Sequence, residues 1–232
     1  MSPRFFAISL FAVLFLGCTA GPEKVMLRGG TEHLPLLDGR ILKYQEHLGG
    51  EVRFYTLKTT YWGGRETRVF DAQFKGIDGG QCRFLSRGGL VFFSTTQPLT
   101  GLLNVPEFRQ LWVDDSASLG DAWEDQDTGT QTTFVGFEKV TVPAATFERC
   151  YKTVTIALPA LKDSNDAWYN RGLLDEKDYR ARCAAADLTV TRWFAAGIGL
   201  VKEQFGDESH VRELVELVRP GRGAADVPLS EE

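Results

Sequence analysis

Apolar and polar positions alternate with a period of two along most of the chain. Across Val69–Lys75, Phe70, Ala72 and Phe74 fall on one side, and Val69, Asp71, Gln73 and Lys75 on the other. Leu42, Tyr44 and Leu48 likewise share a face opposite Lys43, Gln45 and His47. Strict alternation marks strands with one packed side and one wet side. The same signal predicts strands at Glu51–Trp62, Cys82–Ser86, Leu90–Thr95, Gln110–Val113, Thr132–Val142, Phe147–Leu158, Leu188–Ala195, Leu200–Phe205 and Val211–Val218. Glycine pairs punctuate the first half at 29–30, 49–50, 63–64, 79–80 and 88–89, mostly between these strands. Glycine accepts the positive φ that two-residue hairpin turns require. No helix follows any pair, so a phosphate cradle at a helix N-terminus is excluded. The pattern predicts a mainly β protein: a curved antiparallel meander sheet, half-open and barrel-like.

One excursion interrupts the series. Residues 159–187 are polar and rich in turn formers (DSNDAWYNRG), and they contain a single predicted helix over about Glu176–Ala186, capped by Asp175. At the two ends, 18–34 and 220–232 lack periodicity and carry Gly and Pro. They are read as a tether and a frayed tail around a single domain at 35–219.

The first residues have a different character. Arg4 leads into an unbroken apolar run, Phe5–Leu16, followed by Gly17 and Cys18. The run is far short of the roughly 20 residues needed to cross a bilayer. Its charge, length and small residue before the end are those of a secretory signal. A cysteine directly after the small residue resembles a bacterial lipoprotein signal. That resemblance implies cleavage before Cys18, diacylglycerol on its sulfur and an acyl chain on its amino group. Three buried acyl chains, at about 0.8 kcal/mol per CH₂, form a lasting membrane anchor. A plain secretory signal with an incidental cysteine is the alternative. The expected location is the cell envelope, with the domain tethered to the outer membrane and facing the periplasm.

Composition narrows the partners. The net charge is −5 with no basic stripe, which argues against nucleic acid and against anionic lipid head groups. Beyond Cys18 the chain has Cys82, Cys150 and Cys183. Their long spacings speak against zinc, and an oxidising compartment favours a disulfide. Cys150 with Cys183, which flank the same excursion, is the expected pair, and three buried thiols are the alternative. The three histidines, His33, His47 and His210, offer no helical metal pair, and no G-x-S-x-G occurs. Asp163–Asp166 and Asp125–Gly129 echo calcium loops but lack the sixth-position glycine and closing glutamate, so solvated turns are expected. No metal, cofactor or catalytic residue is expected.

The second half carries a recurring pattern: Gly120-Asp121-Ala122-Trp123, then Val135–Val140 and Val142-Pro143-Ala144-Ala145-Thr146-Phe147, then Trp193-Phe194-Ala195-Ala196-Gly197-Ile198-Gly199-Leu200-Val201-Lys202. It resembles the TapB-like family of bacterial envelope lipoproteins over about residues 119–218. Ala145 and Ala196 stand where that family has glycine and proline. The resemblance implies a curved antiparallel sheet, somewhat like the lipoprotein carriers LolA and LolB, and brings no activity. The signature itself reads as architecture, with a hairpin at Pro143–Phe147 and large apolar area at Trp193 and Phe194.

Aromatic residues fall on both faces of several strands, as at Phe54, Tyr55, Tyr61, Trp62, Phe92 and Phe93. Either the sheet curls until both faces are covered, or its concave face is an apolar trough. Phe70, Phe74, Trp193 and Phe194 are the candidate residues of that face. Two roles follow for a non-enzymatic envelope lipoprotein held by acyl chains on Cys18. One is an interaction or scaffolding module with an envelope protein partner. The other is a carrier for lipid or lipoprotein, which requires a hollow interior.

Overall fold

The computed structural model describes residues 28–76, 81–96, 108–125, 128–206 and 209–218. Cys18 and the 220–232 tail lie outside the described residues. Fourteen strands and two helices occur among them. A short ribbon, β1 (Arg28–Gly30) with β2 (Pro35–Leu37), precedes the main strands. These are β3 (Arg40–Leu48), β4 (Glu51–Gly63), β5 (Arg68–Lys75), β6 (Gln81–Arg87), β7 (Leu90–Thr96) and β8 (Phe108–Asp114). The second half adds β9 (Ala122–Asp125), β10 (Thr130–Val142), β11 (Ala145–Ala157), β12 (Val190–Ala195), β13 (Gly199–Phe205) and β14 (His210–Val218).

Twelve strands make one antiparallel sheet in the order β8-β7-β6-β5-β4-β3-β14-β13-β12-β11-β10-β9. It consists of two meanders joined where β14 lies against β3, so the first and last long strands are neighbours. The sheet curls into a nearly closed barrel-like form, as its alternation predicts. The two edge strands, β8 and β9, face each other across a seam bridged by side chains: Trp123 Nε1 donates to the Leu111 carbonyl at 2.9 Å, and Gln110 Nε2 to Thr130 Oγ1 at 3.0 Å. Tyr151 adds a hydroxyl bond to the Asp114 carbonyl at 2.9 Å.

The glycine pairs at 49–50 and 88–89 perform as expected. Each joins two strands with both φ angles positive, 58° and 88° in one and 57° and 84° in the other. That is the I′ turn whose twist matches the flanking strands. Pro143–Ala144 makes the β10–β11 turn, and Ala144 N–H donates to the Leu214 carbonyl at 3.0 Å. Ala145 and Ala196 adopt no positive φ, so the departures from the family pattern require no strained backbone.

Three expectations are corrected. Residues 28–34 belong to the fold. Leu34 and Leu36 enter the core, and the β1–β2 ribbon is tied to separate parts of the sheet through Gly30 N–H to Ser86 Oγ, Thr59 Oγ1 to the Leu37 carbonyl and Gly197 N–H to the Glu32 carbonyl. The excursion holds two helices: α1 (Pro159–Asn170) precedes the expected α2 (Glu176–Asp187). Helix α1 lacks a side-chain cap and is poor in helix formers, so its support is tertiary. Tyr169 stacks on Tyr179 at 4.4 Å, Tyr179 donates to Asp166, and Lys162 pairs with Asp187. Asp163–Asp166 therefore forms a helical turn within α1, and its oxygens do not converge as in a calcium loop. In α2 the expected cap is present, Asp178 N–H to Asp175 Oδ1 at 2.7 Å.

Candidate functional site

Aromatic side chains pack much of the barrel interior. Trp112 of β8 stacks on Phe93 at 4.4 Å and meets Phe194, from the opposite half of the sheet, at 6.4 Å. Tyr151 stacks on Phe134 at 4.1 Å. Beside them lies a cavity of about 190 Å³. Its apolar wall includes Leu36, Leu42, Tyr55, Leu57, Phe74 and Trp112, contributed by the ribbon and by β3, β4, β5 and β8. The β1–β2 ribbon thus supplies part of the wall, through Leu34, Pro35 and Leu36.

The cavity also touches charge. Cross-strand neighbours Arg192, Glu203, Arg212 and Glu46 form a row of alternating sign over β12, β13, β14 and β3. Arg192 Nε lies 2.8 Å from Glu203 Oε1, Arg212 Nη1 3.1 Å from Glu203 Oε2, and Arg212 Nε 2.7 Å from Glu46 Oε1. Arg192 stands over Trp112 at 4.5 Å and reaches Thr155 Oγ1 at 3.2 Å. His210 Nε2 closes the far end on Glu46 at 2.9 Å and stacks on Phe205. Two buried carboxylates thus answer two arginines, as burial of charge requires. Burial alone pushes the Glu46 carboxyl up, but hydrogen bonds from His210 and Arg212 outweigh it and hold the group below its ordinary range. Burial raises the phenols of Tyr44 and Tyr55; Tyr44 donates to the Leu200 carbonyl at 2.8 Å.

Arg40, on the same inward phase of β3 as Leu42, Tyr44 and Glu46, also lines the cavity. It is 4% exposed, and among the described residues it donates only to two carbonyls, Pro35 at 3.2 Å and Gly197 at 3.3 Å, while its Nε has no hydrogen-bond partner.

The candidate apolar-face residues separate. Phe70 and Phe194 are fully buried in the core, and Phe74 lines the cavity. Trp193 lies on the opposite side of β12 from Phe194, between Lys152 at 5.2 Å and Lys202 at 5.5 Å, with Nε1 donating to Glu138 at 3.3 Å. Adjacent residues of one strand point to opposite faces, so Trp193 and Phe194 do not share a trough.

The expected Cys150–Cys183 disulfide is replaced by free thiols at Cys82, Cys150 and Cys183. Cys150 is buried in the middle of β11, seven residues before the strand ends at Ala157, whereas Cys183 is on α2. Burial raises both core thiols, Cys150 to about 11.

His33, expected in the tether, donates from Nδ1 to Asp115 Oδ1 at 2.8 Å and packs on Tyr151 at 5.1 Å. Among the described residues, no three His, Cys, Asp or Glu side chains cluster as a metal site.

No family model matches the chain, and no curated protein matches it. Among solved structures, the chain is similar to a protein from Bacteroides fragilis described as exported, with a YmcC-like fold. The TM-score is 0.49 and the identity 14%, with 82% of this chain and 100% of the other covered. It is also similar to one described as a lipoprotein from Parabacteroides distasonis, with a TM-score of 0.45, 14% identity, and 82% and 99% covered.

Proposed function

We propose that this is a lipid-anchored protein of the cell envelope, attached through acyl chains on Cys18, whose barrel-like domain is a non-enzymatic binding module for a small amphiphilic molecule. One observation carries the reading: an apolar cavity beneath the β1–β2 ribbon, next to buried charge. Such sites combine an apolar lining with a few placed polar groups. Its size narrows the carrier role. At about 190 Å³ it lies below the roughly 300–1,000 Å³ of sites for drug-sized ligands, so a diacyl lipid does not fit. Among the described residues the exposed large apolar side chains are spread over β3, β4, β10, β11, α1 and the connections at Leu119, Leu173 and Leu188, which gives the scaffolding role less support.

The test is an NMR titration of the chain carrying Cys18→Ser, exported and purified without detergent, with 1-hexanol. Saturable shifts confined to cavity-lining residues, lost in Leu57→Phe, are expected. Absence of saturable binding by any six-carbon probe refutes the reading.

A further inference from the structure

Among the described residues, the inner face of the barrel holds three arginines and two carboxylates: Arg40, Arg192 and Arg212 against Glu46 and Glu203. The row across β12, β13, β14 and β3 satisfies Arg192 and Arg212 with carboxylate partners. Arg40 stands six residues from Glu46 along β3, about 20 Å at strand spacing. Among the described residues no carboxylate pairs with it. A guanidinium has five N–H donors and stays charged at neutral pH. Here it is 4% exposed, two of its nitrogens donate to carbonyls at 3.2 and 3.3 Å, and Nε is left without a partner. An isolated buried charge is costly, and natural interiors pair such groups. The unpaired cation lines a cavity otherwise walled by Leu34, Leu36, Leu42, Leu57 and Phe74.

We infer that Arg40 receives the carboxylate of a short-chain acid whose apolar tail fills the cavity. This rests on the ligand-binding reading above and names the class of ligand. A planar carboxylate matches the guanidinium fork and gives the buried charge the anionic partner it lacks. Size sets the tail: a cavity of about 150 Å³ holds benzene. By proportion, about 190 Å³ takes roughly eight non-hydrogen atoms, the size of hexanoate. The row beside Trp112 is already balanced and offers no second anion site.

The experiment compares hexanoate, 1-hexanol, hexylamine and acetate by NMR titration at neutral pH, on the chain carrying Cys18→Ser. Hexanoate is expected to bind at least 10-fold more tightly than 1-hexanol, with hexylamine and acetate weaker still. The hexanoate advantage should vanish in Arg40→Met and survive in part in Arg40→Lys. In the unaltered domain, affinity should fall as pH drops through the carboxylate range, which needs no variant at Arg40. Equal or tighter binding of 1-hexanol overturns the carboxylate assignment while leaving the cavity reading intact. Binding of acetate as tightly as hexanoate overturns it too, since an anion site without a tail site is then sufficient. If none of the six-carbon probes binds, the ligand-binding reading itself fails.

Discussion

Glu203→Gln is the sharpest test of the interior charge row. The carboxylate is 4% exposed and accepts from Arg192 at 2.8 Å and from Arg212 at 3.1 Å. After neutralisation Arg212 keeps Glu46 at 2.7 Å, but Arg192 is left with no anionic partner, only the neutral amide oxygen, Thr155 Oγ1 and the face of Trp112. The variant thus strands about one buried positive charge. Removing one partner of a buried pair costs about 3–5 kcal/mol, a large share of the roughly 5–15 kcal/mol that holds a domain folded. For a domain of this size each kcal/mol lowers Tm by roughly 2–4 °C, so a drop of about 6–20 °C is expected. Urea unfolding of the Cys18→Ser chain should show a lower midpoint with an unchanged slope. The double variant Arg192→Met with Glu203→Leu should recover most of the loss, because apolar replacement of a buried pair is often neutral. A loss below about 1 kcal/mol, the value of an exposed pair, would refute the argument and indicate that water in the cavity screens the row.

Three other expectations follow. Cys18→Ala should abolish incorporation of a labelled fatty acid and move the protein from the membrane to the soluble fraction; retention in the membrane would disprove lipid anchoring. In the folded protein at pH 8, Cys183 should react with a thiol reagent first and Cys150, buried with its thiol raised to about 11, only on unfolding; a Cys150–Cys183 cross-linked peptide from the native protein would contradict the free-thiol arrangement. Acid should destabilise the domain. In Glu46 and Asp115, burial pushes the pKa up but hydrogen bonds from His210 and Arg212, and from His33 and the Glu32 backbone, prevail and lower it; in Glu138 the Lys152 bond is the main cause. A carboxyl depressed in the folded state stabilises above its unfolded pKa, and that stabilisation is lost as pH falls through the folded one. Urea midpoints should therefore hold near neutrality and fall below about pH 4.3, the free glutamate value; a midpoint flat to pH 2 would contradict this.

The alternation rule located the long strands because each has one face in the core, and it missed what that rule does not encode. The ribbon strands β1 and β2 are too short to show a period, and Gly29-Gly30 looks like a turn rather than a strand. Helix α1 was hidden by its Ser, Asn and Asp content, since its support comes from α2. The sign of the cavity was partly readable. Extending the Leu42–Tyr44 phase one step each way places Arg40 and Glu46 inside, but side-chain polarity argued the other way. Buried charge depends on partners on adjacent strands that are far apart in sequence, Arg212 for Glu46 and Arg192 and Arg212 for Glu203, and register is needed to find those. The same lack of tertiary information made Cys150 and Cys183 look like partners across one excursion.

The most direct measurement is a set of intermolecular NOEs between hexanoate and the Cys18→Ser chain. Contacts from the alkyl protons to the methyls of Leu36, Leu42 and Leu57 and to the rings of Tyr55 and Phe74 are the expected result. Contacts confined to the outer-face residues Phe54 and Trp62, or none at saturation, would contradict a ligand site inside the barrel.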